Sequence, residues 1–391
     1  MNTHTRSRFL ALGGAAVSAT LARPASAQLI PGTSYQRQIF IAVCAPLSGE
    51  KSELGAQLYN GARQAVYEAN RTVTPLEAAF GLRSFDDRDS LVGGISTAQF
   101  AGDDPTIIAT VGHLTESVTL AALPQYANAK MPLIVPASSA DAITMRGYRN
   151  VFRLPTKDTT EGQLFAQYLE RTARPKHAVA LTLDGDYGPN VAQGFAAQLR
   201  ADKIAADTVV IRAATPDFAD AAKKILALDT DYVFLAGNTA ALGPALLALR
   251  AAGYKGAVGA SQGFYNVESA QKYSRELGNA LVSTSMPPLQ KVSAVNNDLS
   301  DLRASVGEVT PVSAFGFAST QLAINAVRRT GAADRLSLLH ALQNAGSYDT
   351  LVGSFSFSFT GDPVDPNLYF YTIADGHFKY AGSAHSSSFL I

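Results

Sequence analysis

The sequence predicts an α/β fold of two doubly wound domains, and three observations predict it. Short β-type runs alternate with amphipathic helical runs from residue 39 to residue 135. The alternation restarts at residue 161 and continues to residue 260. Alternation of this kind means βαβ units and a mostly parallel sheet covered by helices on both faces. Beyond residue 290 the pattern changes to helices followed by late strands, as expected of a chain that crosses back between domains.

Taken in order, residues 39–44 are β-rich and residues 55–69 carry apolar side chains at helical spacing. Residues 82–85 read as a weak strand, 94–100 as a helix, 107–111 as a strand and 118–127 as a helix. Residues 131–135 form a further strand, stopped by Pro136. The second series reads helix 161–171, strand 178–183, helix 191–201, strand 208–212, helix 219–228, strand 232–236, helix 240–251 and strand 257–260. The domains divide near residues 154–160. Residues 293–305, 314–330 and 337–345 are helical, 354–359 alternate like an edge strand, and 368–374 form a last strand before the turn Ala374-Asp375-Gly376. In facing α/β domains a ligand sits beyond the carboxyl ends of the strands, so the expected site is the cleft between them.

The 391 residues are 47% hydrophobic and balance 32 Lys+Arg against 32 Asp+Glu. No basic excess is available to neutralise phosphates, which argues against a nucleic-acid binder. The apolar content argues against a disordered chain. Residues 1–27 have the form of a secretory signal. Arg6 and Arg8 precede the apolar stretch 9–22, and Ala25-Ser26-Ala27 makes a cleavage site after Ala27. Arg6-Ser7-Arg8 leaves either export route open. Without Arg6, Arg8 and Arg23 the remaining 364 residues hold 29 basic and 32 acidic side chains, a net of −3. The expected mature protein is mildly acidic and periplasmic. No later segment reaches the 18 apolar residues of a membrane span. The single cysteine, Cys44, lies in the first apolar run and reads as a buried thiol.

Catalytic signals are sparse. Gly259-Ala260-Ser261-Gln262-Gly263 fits a G-x-S-x-G nucleophile elbow after a strand, with Asp349 or Asp362 and His377 as formal partners. Such a string would make the chain an exported serine hydrolase, the alternative to a binding role. Dinucleotide and P-loop fingerprints are absent from the mature chain, and no histidine has metal-ligand spacing. Asp86-Asp87-Arg88-Asp89 reads as a solvated turn with helix N-terminal charges rather than a cation site. No cofactor and no metal are implied. Binding features recur instead. Four strand ends run into hydroxyl or amide residues, at 47–49, 112–117, 136–139 and 236–239. Helix N-terminal amides beside short hydroxyls make a cradle for a carboxylate.

Longer stretches carry a family resemblance. They are IAVCAPLSGEKSELGAQLYNGARQAVYEAN (41–70), ATVGHLTESVTLAALPQYANAKMPLIVPASSADAITMRGYRNVFRLPTKDTTEGQLFAQYL (109–169), LTLDGDYGPNVAQGF (181–195), YVFLAGNTAALGPALLALRAAG (232–253) and ADGHFKY (374–380). From Gln38 to Tyr380 the chain resembles the periplasmic substrate-binding proteins of branched-chain amino-acid ABC transporters. The resemblance implies a type I periplasmic binding protein: two Rossmann-like lobes, with parallel sheets flanked by helices, joined by three hinge strands that close on solute. The N-terminal lobe would be residues 36–156 plus 287–366, the other 157–286 plus 367–391.

It also implies a pocket. The hydroxyl and backbone amides that hold a ligand carboxylate map to Glu116 and Ser117, with Glu116 standing where Ser is typical. A second hydroxyl maps to Ser139, a backbone carbonyl to Ala137, and the second-lobe aromatic to Tyr187. The acid that takes a ligand's ammonium falls at Gln262, a further Tyr at Asn238 or Thr239, and the first-lobe aromatic at Leu54. A carboxylate at 116 repels a ligand carboxylate, and Gln262 cannot form a charge-assisted bond. The resemblance with these departures points to a small amino-acid-like, amide or other polar solute. The implied partners are that solute and an inner-membrane ABC permease, with no nucleic acid. The implied state is a monomer and the implied role non-enzymatic; a solute-sensing receptor is the other binding role open to it.

Overall fold

The computed structural model describes residues 37–71, 78–185, 187–289, 296–344 and 346–386. The expected signal segment lies outside the described residues.

The chain begins β1 (Arg37–Ala45), α1 (Ser52–Arg71), β2 (Ala78–Asp86), α2 (Leu91–Asp103), β3 (Ile107–Gly112), α3 (Glu116–Asn128), β4 (Leu133–Val135), α4 (Ala142–Met145) and β5 (Val151–Arg153). Among the described residues these five strands form one parallel sheet in the order β2-β1-β3-β4-β5.

The second series is α5 (Asp158–Thr172), β6 (His177–Leu183), α6 (Pro189–Ala201), β7 (Ala205–Ile211), α7 (Phe218–Ala227), β8 (Tyr232–Leu235), α8 (Thr239–Ala251), β9 (Ala257–Ala260), α9 (Val267–Lys272), α10 (Ser274–Leu277) and β10 (Leu281–Thr284). Helices α11 (Asn296–Val306), α12 (Pro311–Thr330) and α13 (Arg335–Asn344) follow, then the hairpin β11 (Tyr348–Thr350) and β12 (Gly353–Phe355). The chain ends with β13 (Asn367–Ala374) and β14 (His377–His385). The second sheet, counted over the described residues, holds seven strands in the order β14-β13-β10-β9-β8-β6-β7. Strand β13 runs antiparallel to both its neighbours, and the remaining pairs are parallel.

Strand alternation explains why the first apolar run is continuous. Ile39, Ile41 and Val43 pack in one core with α1 and α12, while Phe40, Ala42 and Cys44 pack in another with α2 and α3. A strand buried on both faces needs apolar residues at every position. The second sheet repeats this, with Val179 and Leu181 in one core and Ala178 and Ala180 in the other. Helices α5 and α6 touch at their glycines. A Cβ on Gly162 would stand 2.1 Å from the Val191 carbonyl oxygen, and one on Gly194 2.1 Å from that of Thr159.

Four strands were not foreseen from the sequence, among them the three-residue β11. β5 is three residues long and ends in an arginine, β10 is half hydroxyl residues, and β14 is a polar edge strand. Each is short or polar enough that only its neighbour in the sheet makes it a strand. The chain after Ala374 thus does not stop at a turn but returns as β14. The strand expected at 354–359 is shorter, and Phe357 makes an isolated bridge to Pro363.

The chain passes between the two sheets three times, at residues 154–157, 285–286 and 363–366. Met286 and Leu289 already pack in the core of the first sheet. One residue stitches the three passages together. The Thr156 amide donates to Ser285 Oγ at 3.0 Å, and its hydroxyl donates to the Asn367 carbonyl at 2.7 Å.

Candidate functional site

The loops at the carboxyl end of the first sheet are held by acids. Asp86 accepts from the amides of Leu47 (2.8 Å) and Ser48 (3.3 Å) and from the Ser48 hydroxyl. Burial raises its pKa, but these bonds and the Arg88 amide outweigh that and hold it below the usual range. Asp87 is fully buried and lies 2.6 Å from His113 Nδ1, whose Nε2 is 3.0 Å from the Tyr126 hydroxyl. Asp89 accepts from Thr115 Oγ1 at 2.7 Å and pairs with Lys51 at 2.6 Å. The acidic run is therefore not a solvated turn. It fastens the β1–α1 loop to the β3–α3 loop. Among the described residues no group of three His, Cys, Asp or Glu side chains could hold a metal.

Glu116 and Ser117 open α3, the first half-buried and the second exposed. Ala137 is half-buried, and Ser138 and Ser139 are buried in the loop after β4. That loop is anchored by Arg153, which has no exposed surface. Its guanidinium donates to the carbonyls of Ser139 (2.8 Å) and Ala140, to Thr144 Oγ1 at 2.7 Å, and to the Asp362 carboxylate. The Ser139 carbonyl also accepts from the Asp158 amide at 3.0 Å, which joins the loop to the start of α5.

At the carboxyl end of the second sheet, Glu161 organises the loops. It is fully buried. Its Oε1 accepts from the Gln262 amide at 2.7 Å and the Ser283 hydroxyl at 2.8 Å, and its Oε2 from the Tyr187 hydroxyl at 3.2 Å. The Gln262 side-chain oxygen accepts in turn from Ser285 Oγ at 3.3 Å. Burial pushes Glu161 up to about 7 against these donors, and nearby Asp158 raises it further. Asp158 is also fully buried, and the donor that acts on its carboxylate is the Ser139 hydroxyl. Burial pushes it up to about 6; the Ser139 hydroxyl and Arg153 oppose this, and Asp141 adds to it. Tyr187 is driven well above its ordinary pKa by burial and by the charges of Glu161 and Asp158.

Ser139, Tyr187 and Gln262 are thus gathered around Asp158 and Glu161. Asn238 is exposed, and its side chain caps α8 by accepting from the Ala241 amide at 2.9 Å. Thr239 is buried and donates to the Gly263 carbonyl at 3.1 Å. Leu54 is 40% exposed in α1.

Comparison with known proteins completes the picture. The family model described as "Periplasmic binding protein" matches residues 38–377. The chain belongs to the periplasmic binding protein family. The Leu/Ile/Val-binding protein of Citrobacter freundii is 26% identical over 333 residues, which is 84% of this chain and 89% of that protein. The crystal structure of the leucine binding protein LivK from Thermotoga maritima superposes with a TM-score of 0.78 at 20% identity, covering 90% of this chain and 99% of that one. A solute binding protein of an ABC transporter from R. palustris, in complex with benzoate, gives 0.73 at 19% identity, with 88% and 96% covered. The architecture is that of the type I periplasmic binding proteins.

Membership of this binding family agrees with the fate of the G-x-S-x-G string. Ser261 is fully buried, and its hydroxyl accepts from the Gly237 amide at 3.0 Å and donates to the Gly237 carbonyl at 2.9 Å. Asp362, a formal triad partner, is bound to Arg153 beside the other sheet. The hydroxyl is a clasp between the loops after β8 and β9, so the hydrolase alternative falls. Asp158 and Glu161 were not singled out from the sequence as site residues. Their signal is D-x-x-E placed directly after the first passage between the sheets, where α5 starts. Without the fold it reads as ordinary helix N-terminal charge.

Proposed function

We propose that this periplasmic binding protein captures a small polar solute between its two α/β lobes and hands it to an inner-membrane ABC permease. The observation that carries the reading is the convergence of Ser139, Tyr187 and Gln262 on the residues beside three stitched chain passages. Closure about those passages would bury solute between Glu116, Ser117, Ala137 and Ser139 on one side and Tyr187, Asn238 and Gln262 on the other. The lobes are residues 36–156 plus 287–366 and 157–286 plus 367–391. The protein works as a periplasmic monomer after cleavage behind Ala27. Support for the location comes from the family, and no helix among the described residues is long and apolar enough to cross a membrane.

The relatives' names supply the solute classes to try: Leu/Ile/Val for the Citrobacter protein and benzoate for the R. palustris one. A ligand that binds only the folded state stabilises it by about 2.7 kcal/mol at a hundredfold excess over Kd. A thermal-shift screen of amino acids, amides, polyamines and aromatic acids tests the reading. At least one solute is expected to raise Tm by several degrees. If none does, solute capture fails and a protein-binding role takes its place.

A further inference from the structure

The hydrogen bonds around Gln262 run in a fixed direction, set from the passages between the sheets. A backbone N–H can only donate, so the Thr156 amide places its hydrogen on Ser285 Oγ at 3.0 Å. The Ser285 hydroxyl donates onward to Gln262 Oε1 at 3.3 Å. The Gln262 main-chain amide donates to Glu161 Oε1 at 2.7 Å, and its carbonyl accepts from the Tyr265 amide at 2.9 Å. The polar group of Gln262 that remains is the side-chain NH2, two donors with no acceptor among the described residues. Its neighbours have already given their protons away. The Tyr187 hydroxyl donates to Glu161 Oε2 at 3.2 Å, and the Ser139 hydroxyl donates to Asp158. The acids are engaged too, Asp141 by the Thr159 amide at 3.1 Å and Glu161 by three donors. Arg153 is the one fully buried guanidinium among the described residues, and it is spent on Asp362, Thr144 and the carbonyls of Ser139 and Ala140.

We propose that Ser285, on the second passage, is a positioning residue that turns the Gln262 NH2 to the solute, and that the group received there is a neutral carbonyl oxygen of a carboxamide or a urea. An ammonium would meet two donors at this point, because the Gln262 side-chain oxygen is held by Ser285. A carboxylate would stand near Asp141, Asp158 and Glu161 with the buried guanidinium already taken, and like charges disfavour each other. A neutral acceptor has neither difficulty. The proposal rests on the solute-capture reading above and names the solute class within it. Because Ser285 also receives the Thr156 amide, the side chain that reads the solute is tied to two of the three passages.

The test is calorimetric titration of the mature chain with six probes: acetamide, urea, benzamide, benzoate, leucine and putrescine. Wild type is expected to bind one of the three neutral carbonyl probes most tightly. Gln262→Leu should weaken that probe at least fivefold, and Ser285→Ala at least threefold, as the loss or misdirection of one hydrogen bond would. In the double variant the Ser285 effect should vanish, because no carboxamide is left to be turned. Circular dichroism confirms that each variant is folded; if Ser285→Ala is not, Ser285→Cys, close in volume and a weaker donor, takes its place. Smaller losses in the folded single variants overturn the subsite. A Ser285 effect that persists in the Gln262→Leu background shows that the hydroxyl only holds the passages together, and overturns its positioning role. Tightest binding of benzoate, leucine or putrescine overturns the solute class and leaves solute capture standing. Binding of none of the six overturns solute capture, and this inference with it.

Discussion

Asp158 and Glu161 lie three residues apart at the start of α5, so their side chains share one face of the helix. Their burial makes the ligand-free protein sensitive to pH. Burial raises Asp158 from 3.8 to about 6 and Glu161 from 4.5 to about 7. A carboxyl with a folded pKa above its unfolded value keeps its proton in the native state while the unfolded chain loses it. Stability is therefore greatest below the unfolded pKa and falls as pH rises to the folded one. Tm of the ligand-free protein should drop between about pH 4 and about pH 7, and Glu161→Gln should flatten that slope. Differential scanning fluorimetry across this window checks it; a flat wild-type profile would mean both groups are ionised throughout. Specificity belongs to the residue scale as well. Replacing Glu116 by Ser and Gln262 by Glu removes a charge that repels a carboxylate and adds one that attracts an ammonium. The double variant should shift preference toward branched-chain amino acids, and an unaltered ligand profile in calorimetry would exclude both positions from the pocket.

At the scale of elements, what matters is how helices and loops are held in register with the cleft. α5 carries the two acids, and α5 packs on α6 through Gly162 and Gly194. Gly194→Ala forces a methyl group toward the Thr159 carbonyl, so the helices must separate. Overpacking of this kind costs about 1–3 kcal/mol, readable as a lower urea midpoint with an unchanged slope. Ser261 joins two loops by one hydroxyl that both accepts and donates. Ser261→Ala leaves the Gly237 amide and carbonyl short of a partner in the interior, an expected loss of about 1–3 kcal/mol. The same variant should show the same absence of ester hydrolysis as wild type; turnover that depends on Ser261 would restore the enzyme reading.

For the whole molecule, the proposed closure on solute would turn on the three passages. Thr156 joins all three through its amide and hydroxyl and is 2% exposed. Thr156→Val keeps the amide bond to Ser285 but leaves the Asn367 carbonyl without that donor. The expected effect is a loss of about 1 kcal/mol in stability and weaker solute binding, with a smaller solute-induced compaction in X-ray scattering. Unchanged affinity and compaction would show that the stitch holds the fold together without governing closure.

Much of the architecture was legible because burial on both faces of a parallel sheet leaves a local trace. The run 39–44 is apolar at every position and the run 178–183 nearly so, and each reads as an interior strand without reference to anything distant. The short strands β5, β10 and β14 were not legible, since their strand character comes from pairing with residues far along the chain. The site divides in the same way. Long ordered stretches carried the family, and with it Ser139, Tyr187 and Gln262 as positions of interest. Sequence could not say that Ser261 is a clasp, that Asp87 is buried against His113, or that Asp158 is fully buried. Those facts depend on which groups share a water-free space, and exclusion of water is a property of packing between distant segments. The sequence by itself determined the alternating α/β plan and the family. Only the tertiary structure decided where the buried charge lies, because the field at a buried carboxylate is the sum over neighbours that folding brings together.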